Sequence, residues 1–81
     1  MSDLQESIAE FIAARVGKAS IAPGASLIES GLLDSLIVLE VVGYLEAEFG
    51  VEFRPEHITL ENFETVVAIE SLVNQQRAAC A

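Results

Sequence analysis

The sequence predicts a small all-α domain, a four-helix bundle with a long first loop and a short third helix. Three observations support this fold class. Apolar residues recur at helical spacing in three segments, no segment shows the alternation typical of a strand, and both prolines fall between the helical segments. With 81 residues the chain is long enough for one such core and too short for two.

The first helix is predicted from Met1 to Val16. Its apolar residues recur at helical spacing: Leu4, Ile8, Phe11 and Ile12. Ser2 and Gln5 can form a capping box at its start, and Gly17 marks its end. These signals together predict one amphipathic helix.

A long connection then runs from Gly17 to Asp34 and contains Pro23. Apolar residues dispersed through it are expected to hold it against the core: Ile21, Leu27, Ile28, Leu32 and Leu33. Connections of this length are uncommon in a compact domain and are usually functional. A functional site is therefore expected near Asp34 and Ser35, where the connection enters the next helix.

The second helix is predicted from Ser35 to Phe49, with Gly50 at its end. One stripe at helical spacing is expected in the core: Val38, Val42, Leu45 and Phe49. A different face mixes large apolar groups with carboxylates: Leu36, Ile37, Leu39, Glu40, Tyr44 and Glu48. Since a purely solvated face would show charge alone, this mixed face is the candidate partner-binding surface.

Val51 to Pro55 is expected to be extended, because Arg54 precedes a proline. A short third helix is predicted from Thr59 to Phe63, with three residues closing the core: Ile58, Leu60 and Phe63. The last helix begins near Thr65 and directs apolar residues inward: Val66, Ile69, Leu72 and Val73. We expect residues 1–77 to form the domain and residues 78–81 a flexible tail.

The charge and composition of the chain exclude some classes of binding partner. Thirteen acidic residues against four basic ones give a net charge of −9, which would repel nucleic acid and anionic membranes and attract proteins with basic patches. The apolar runs are shorter than the roughly 20 residues of a membrane span. Cys80, the single cysteine, has no internal disulfide partner, and no signal segment opens the chain. We expect a monomer in the cytoplasm.

Several kinds of chemistry lack the residues they need. His57 is the only histidine, and Ser35 is not in a Gly-x-Ser-x-Gly elbow, so a serine hydrolase is disfavoured. No ligand spacing for zinc or calcium is present, and the five glycines are too dispersed for a phosphate-binding loop. We expect no metal, no nucleotide and no catalytic residue.

Ser35 itself follows Asp34, precedes Leu36 and lies at the start of a helix. Backbone N–H groups and the helix dipole favour a phosphate there. The plainer alternative is that Asp34 or Ser35 only caps the helix, because caps of this type are common. These residues alone leave both interpretations open.

The longer pattern is more specific. The segment Leu27-Ile28-Glu29-Ser30-Gly31-Leu32-Leu33-Asp34-Ser35-Leu36, the helix ending Leu45-Glu46-Ala47-Glu48-Phe49-Gly50, and Asn62-Phe63-Glu64-Thr65-Val66 resemble the acyl and peptidyl carrier protein family. The resemblance covers nearly the whole chain and implies an acyl-carrier-protein-like fold. It also implies that Ser35 receives 4'-phosphopantetheine from coenzyme A, that Asp34 and Leu36 are recognition residues, and that a separate magnesium-dependent phosphopantetheinyl transferase performs the attachment.

By this resemblance the protein is no enzyme. It holds an aminoacyl or acyl group as a thioester, which a ligase or adenylation enzyme loads and downstream enzymes process. Gly31-Leu32-Leu33-Asp34-Ser35 is similar to stand-alone carriers of D-alanine and other amino acids, and no charge follows Leu36 until Glu40, unlike in fatty acid carriers. Aminoacyl cargo is therefore favoured over specialised acyl cargo and ordinary fatty acids. The alternative from another class is an unmodified helical interaction module.

Overall fold

The computed structural model describes the backbone of residues 3–80 and the side chains of residues 3–78. It contains three α-helices, α1 (Asp3–Val16), α2 (Ser35–Phe49) and α3 (Val66–Cys80), and a 3₁₀ turn at Pro55–His57. No strand occurs in this described range, so the all-α class is confirmed, whereas a count of four α-helices is not. The predicted cap residue Ser2 lies outside the described residues.

The core lies where α1 packs against both α2 and α3. Each helix and each connection contributes to it, and its fully buried large side chains are Ile8, Ile12, Leu27, Val41, Leu45, Phe63, Val66, Ile69 and Val73. The predicted inward stripe of α3 is buried throughout, while in α1 Ile8 and Ile12 are buried and Leu4 and Phe11 are half-buried against the core. In α2, Val42 and Leu45 are buried as predicted, while Val38 and Phe49 are half-buried against the core and Val41 was missed.

The segment between α2 and α3 departs from the prediction. A 3₁₀ turn starts at Pro55, whose ring presets the backbone dihedral for a helical first position, and the Ile58 N–H donates to the Pro55 carbonyl. Over 59–63 the chain forms a turn instead of a short helix. The Thr59 hydroxyl oxygen accepts the Asn62 N–H at 3.2 Å, and the Phe63 N–H donates to the Leu60 carbonyl at 3.3 Å. These two bonds close a single turn, and no helix continues from it.

Leu60 was also assigned to the core, and this is wrong. Phe63 is buried and Ile58 is half-buried against the core, but 71% of Leu60 is exposed. The turn directs Phe63 inward and leaves Leu60, three residues earlier, on the outside. A helical register in this segment would have placed the two side chains on one face.

Residues 17–34 connect α1 to α2 without a helix and are held at several points. Ile21, Leu27 and Leu33 are buried, as the dispersed apolar residues predict. The Leu27 N–H donates to the Glu64 carbonyl at 2.7 Å, and the Leu27 carbonyl accepts the Leu33 N–H at 3.0 Å. The approach to α2 is thereby tied to the residues just before α3.

The helix ends follow the expected caps. Gly50 ends α2 with a positive φ of 66°, a conformation that residues with a Cβ rarely adopt. At the start of α3 the Thr65 hydroxyl accepts the Ala68 N–H at 3.0 Å. The backbone of α3 remains helical through residues 78–80, and the predicted boundary at residue 77 stays a prediction. Among the described residues, no helix has the length and apolar character needed to cross a membrane.

Candidate functional site

The site is built where the long connection meets α2. Asp34 is the N-cap of α2, and its Oδ1 accepts the Ile37 N–H at 2.9 Å. Ser35 is the first helical residue and is exposed. Of the two possible caps in the sequence, Asp34 is therefore the one used, and the hydroxyl of Ser35 is not needed to start the helix.

An apolar groove of about 570 Å³ opens beside Ser35. Its walls come from the connection before α2, from the first turns of α2 and from the segment between the 3₁₀ turn and α3. Seven of the ten lining residues are apolar, and the full set is Ile28, Leu33, Asp34, Ser35, Val38, Leu39, Ile58, Thr59, Leu60 and Phe63. The exposed serine thus lies at the edge of a sizeable apolar surface.

The electrostatics at Ser35 suit an anion. The first N–H groups of α2 have no intrahelical partner, and the partial positive charge of the helix N-terminus lies there. The first turn of α2 contains no acidic residue, so Asp34, whose Oδ1 is occupied by the cap, is the adjacent carboxylate. A phosphate ester on Ser35 would be stabilised by this end of the helix.

The structure gives no support to a base for Ser35. The Nδ1 atom of His57 accepts the Arg54 N–H at 3.1 Å, and His57 does not line the groove. Within the described part of the chain, no three His, Cys, Asp or Glu side chains are grouped so that they could hold a metal ion.

The six residues predicted as a partner-binding face lie in two different environments. Leu36 and Leu39 are 66% and 61% exposed, and Glu48 is also exposed. Ile37 is half-buried against the core. Glu40 forms an ion pair with Arg15 of α1, in which the Glu40 Oε2 atom lies 3.6 Å from the Arg15 Nε atom. Leu36 and Leu39 are therefore open to solvent, whereas Ile37 and Glu40 make contacts within the domain.

Tyr44 also contacts α1. Its ring stacks on Phe11 with 4.2 Å between the centroids and meets Phe49 edge to face. Partial burial raises the pKa of the Tyr44 hydroxyl, the nearby Glu48 and Glu10 carboxylates raise it further, and a hydrogen bond with Ser7 opposes them. Tyr44 thus remains protonated at neutral pH and serves as part of the seam between α1 and α2.

Sequence reasoning missed the wall of the groove opposite α2. Ile58, Thr59, Leu60 and Phe63 line it, and the sequence analysis assigned three of them, Ile58, Leu60 and Phe63, to the core. A partial signal was present, since threonine and asparagine are both residue types that favour turns.

These features define a class of protein, a small helical domain with an exposed serine at a capped helix N-terminus beside an apolar groove. The model of the family described as "Phosphopantetheine attachment site" matches residues 2–73 of the chain. Because this match spans most of the sequence, the chain belongs to the phosphopantetheine-binding family, which includes the acyl and peptidyl carrier proteins.

One solved structure contains a chain of similar fold. The chain is similar to one in a structure described as "Crystal structure of FAD-dependent dehydrogenase", with 28% sequence identity and a TM-score of 0.73. The similarity covers 82% of this chain and 97% of that one. No curated protein matches the sequence significantly.

The cofactor of this family is 4'-phosphopantetheine, attached covalently. The described residues fit such a group. An exposed serine hydroxyl is available for a phosphodiester, the helix N-terminus favours its negative charge, and the adjacent groove offers apolar surface. The geometry therefore agrees with the cofactor that the family carries.

Proposed function

We propose that this protein is a carrier that holds an aminoacyl or acyl group on a 4'-phosphopantetheine arm attached to Ser35 and presents it to partner enzymes. The observation that carries the proposal is the position of Ser35, exposed at the N-terminus of α2 beside an apolar groove, within a chain of this family. The bound arm supplies a thiol that holds the cargo as a thioester. The carrier itself performs no catalysis.

Each part of the site has a role in this proposal. Ser35 provides the oxygen to which the arm is joined, and Asp34 holds the first turn of α2 in place through its hydrogen bond to the Ile37 N–H. The first N–H groups of α2 stabilise the phosphodiester charge. Tethering of this kind raises the effective concentration of cargo at each enzyme visited.

Two kinds of cargo are each supported by one observation. The uncharged start of α2 and the Gly31-Leu32-Leu33-Asp34-Ser35 segment resemble aminoacyl carriers and support an amino acid. The groove of about 570 Å³ has a mostly apolar lining next to Ser35, and it supports a specialised acyl group. The sequence ranks specialised acyl cargo second to aminoacyl cargo, and the groove adds support for the acyl alternative.

The partners follow from the same role. A phosphopantetheinyl transferase attaches the arm, a ligase or adenylation enzyme loads it, and downstream enzymes process the cargo. The similar chain in the structure described as an FAD-dependent dehydrogenase supports a flavin-dependent dehydrogenase as one such downstream enzyme. Each visit is brief, so weak contacts steered by charge suit the task better than a large permanent interface.

The proposal is tested by intact-mass measurement after incubation with coenzyme A, magnesium and a broad-specificity phosphopantetheinyl transferase. We expect the parent chain to gain the mass of one phosphopantetheine and Ser35→Ala to gain none. Ser71→Ala is the matched control, since Ser71 is exposed on α3, and it should be modified like the parent. Ser35→Ala should remain folded, because Asp34 supplies the helix cap.

The unmodified interaction module predicts a different result. In that case the parent gains no mass with any of several transferases, and Ser35→Ala retains the function of the parent. A mass gain that persists in Ser35→Ala would place the attachment elsewhere and would contradict the assignment of Ser35.

A further inference from the structure

The side chain of His57 closes the 3₁₀ turn that precedes one wall of the groove. Its Nδ1 atom accepts the Arg54 N–H at 3.1 Å, and its own backbone N–H donates to the Arg54 carbonyl at 2.9 Å. In the usual capping box, the side chain that reaches back to such an N–H is that of a glutamate or a glutamine. Here it is an imidazole, and it belongs to the only histidine of the chain.

The remaining contacts of His57 connect this turn to its surroundings. The His57 carbonyl accepts the Asn62 side-chain N–H at 2.8 Å, and the Nε2 atom of the ring lies 3.4 Å from the Nε2 atom of Gln76 on α3. Residues 58–60 follow directly in the chain, and all three line the groove. His57 therefore holds the start of this wall without lining the groove itself.

The bond from the Arg54 N–H depends on the protonation state of the ring. Nδ1 has a lone pair to accept this bond only while the imidazole is neutral, since a protonated ring carries an N–H on both nitrogens. A glutamate or glutamine would keep its acceptor between about pH 5 and 8, whereas histidine is the side chain that ordinarily changes charge in this interval. The identity of this one residue makes the turn sensitive to pH.

We propose that His57 is a pH-sensitive switch in the wall of the groove. While the ring is neutral, the bond to Nδ1 closes the turn and residues 58–60 stay in place. When a proton from solvent binds Nδ1, the Arg54 N–H loses its acceptor, the turn opens and residues 58–60 move. The groove beside Ser35 therefore changes shape with pH. This inference goes beyond the carrier function, because it concerns the conformation of the chain before any arm is attached.

The charged groups near the ring leave this hydrogen bond as the element that responds to pH. Within the turn, Arg54 and Glu56 pair with each other at 4.0 Å. On α3, the contacting residue Gln76 is uncharged, and Arg77 after it is exposed, as is Glu61 in the following turn. No carboxylate of the described residues forms an ion pair with the ring. Protonation of the ring is thus coupled to the turn through Nδ1.

The test measures the unmodified chain by NMR at about pH 7.5 and about pH 5.5, two values within the interval in which histidine changes charge. The first readout is the exchange protection of the Arg54 amide, normalised for the intrinsic exchange rate at each pH. We expect it to fall about twofold to tenfold at the lower pH, as for the loss of one ordinary hydrogen bond. The second readout is the methyl shifts of Ile58 and Leu60, which should change together with the protection of Arg54.

Two variants and one internal control accompany the parent. His57→Gln supplies the usual acceptor of a capping box and does not titrate, so its Arg54 protection should be the same at both pH values. His57→Ala removes the acceptor, and its protection should be low at both. Within each chain, the Ala68 N–H donates to the Thr65 hydroxyl at 3.0 Å, an acceptor that does not titrate, so its protection should not respond to pH.

The possible outcomes are distinct. If Arg54 in the parent does not respond to pH, or if His57→Gln responds as strongly as the parent, His57 is not the switch. If Arg54 responds while the methyl groups of Ile58 and Leu60 do not, the turn titrates without moving the groove wall, and the inference is overturned. None of these measurements requires the arm, so a failure here leaves the carrier function to the mass measurement described above.

Discussion

Leu39 and Tyr44 lie on the same helix five residues apart, and both are large side chains on a face that mixes apolar and acidic residues, yet their surroundings differ. Tyr44 stacks on Phe11 of α1, and Glu40 beside it pairs with Arg15. Leu39 faces the groove beside Ser35 and is 61% exposed. The flank of α2 against α1 stabilises the domain, whereas the flank at the groove remains exposed.

This difference explains why α2 is so apolar. Its sequence carries more large apolar residues than a half-buried helix needs, and its first turn has no charge to keep it in solvent. Where α1 covers the helix, these apolar side chains pack against α1. Where nothing in the described chain covers the helix, they remain exposed close to Ser35.

The largest expected contrast is in stability. Tyr44→Ala removes a half-buried ring and its stacking contact with Phe11, and it should lower the free energy of unfolding by about 2 kcal/mol. Leu39→Ala removes a mostly exposed side chain and should change it by no more than about 0.5 kcal/mol. Denaturant unfolding measures both. Equal losses in the two variants would contradict the division of α2 into two flanks.

A smaller effect separates the capping role of Asp34 from recognition. Asp34→Ala removes the acceptor of the Ile37 N–H and should cost about 1 kcal/mol of stability. Asp34→Asn keeps an acceptor and should unfold like the parent. If the resemblance assigns Asp34 correctly to recognition, both variants should nevertheless slow arm attachment by the transferase. If Asp34→Asn is modified by the transferase at the rate of the parent, Asp34 caps the helix and has no role in recognition.

The smallest expected effect concerns charge. Glu48→Lys and Glu40→Lys should each slow arm attachment about twofold to fivefold at low salt and flatten its salt dependence, because opposite charges steer the encounter. Glu6→Lys on α1 makes the same change in net charge and is the control. Glu40→Lys also loses the pair with Arg15, which at this exposure contributes at most about 1 kcal/mol. Identical salt profiles for all three variants would remove Glu40 and Glu48 from the predicted partner-binding face of α2.

Much of the fold was predictable because it depends on local pattern. The inward stripes of α1 and α3, the caps at Thr65 and Gly50, and the burial of Leu27 and Leu33 in the connection all follow from residue spacing and type. The short third helix was not predictable in the same way. Its segment is only five residues long, and so short a segment makes too few local hydrogen bonds to specify a helix over a turn.

The candidate site shows the same division. The sequence alone determined the serine, its place at a helix start, the acidic charge of the chain and the family resemblance, since each of these depends on residue identity and short-range order. Only the tertiary structure decided which flank of α2 contacts α1, that a groove opens beside Ser35, and that Leu60 lies at its mouth. The physical reason is that these features depend on how segments far apart in the chain pack, and residue spacing within one helix does not specify which neighbour covers which face.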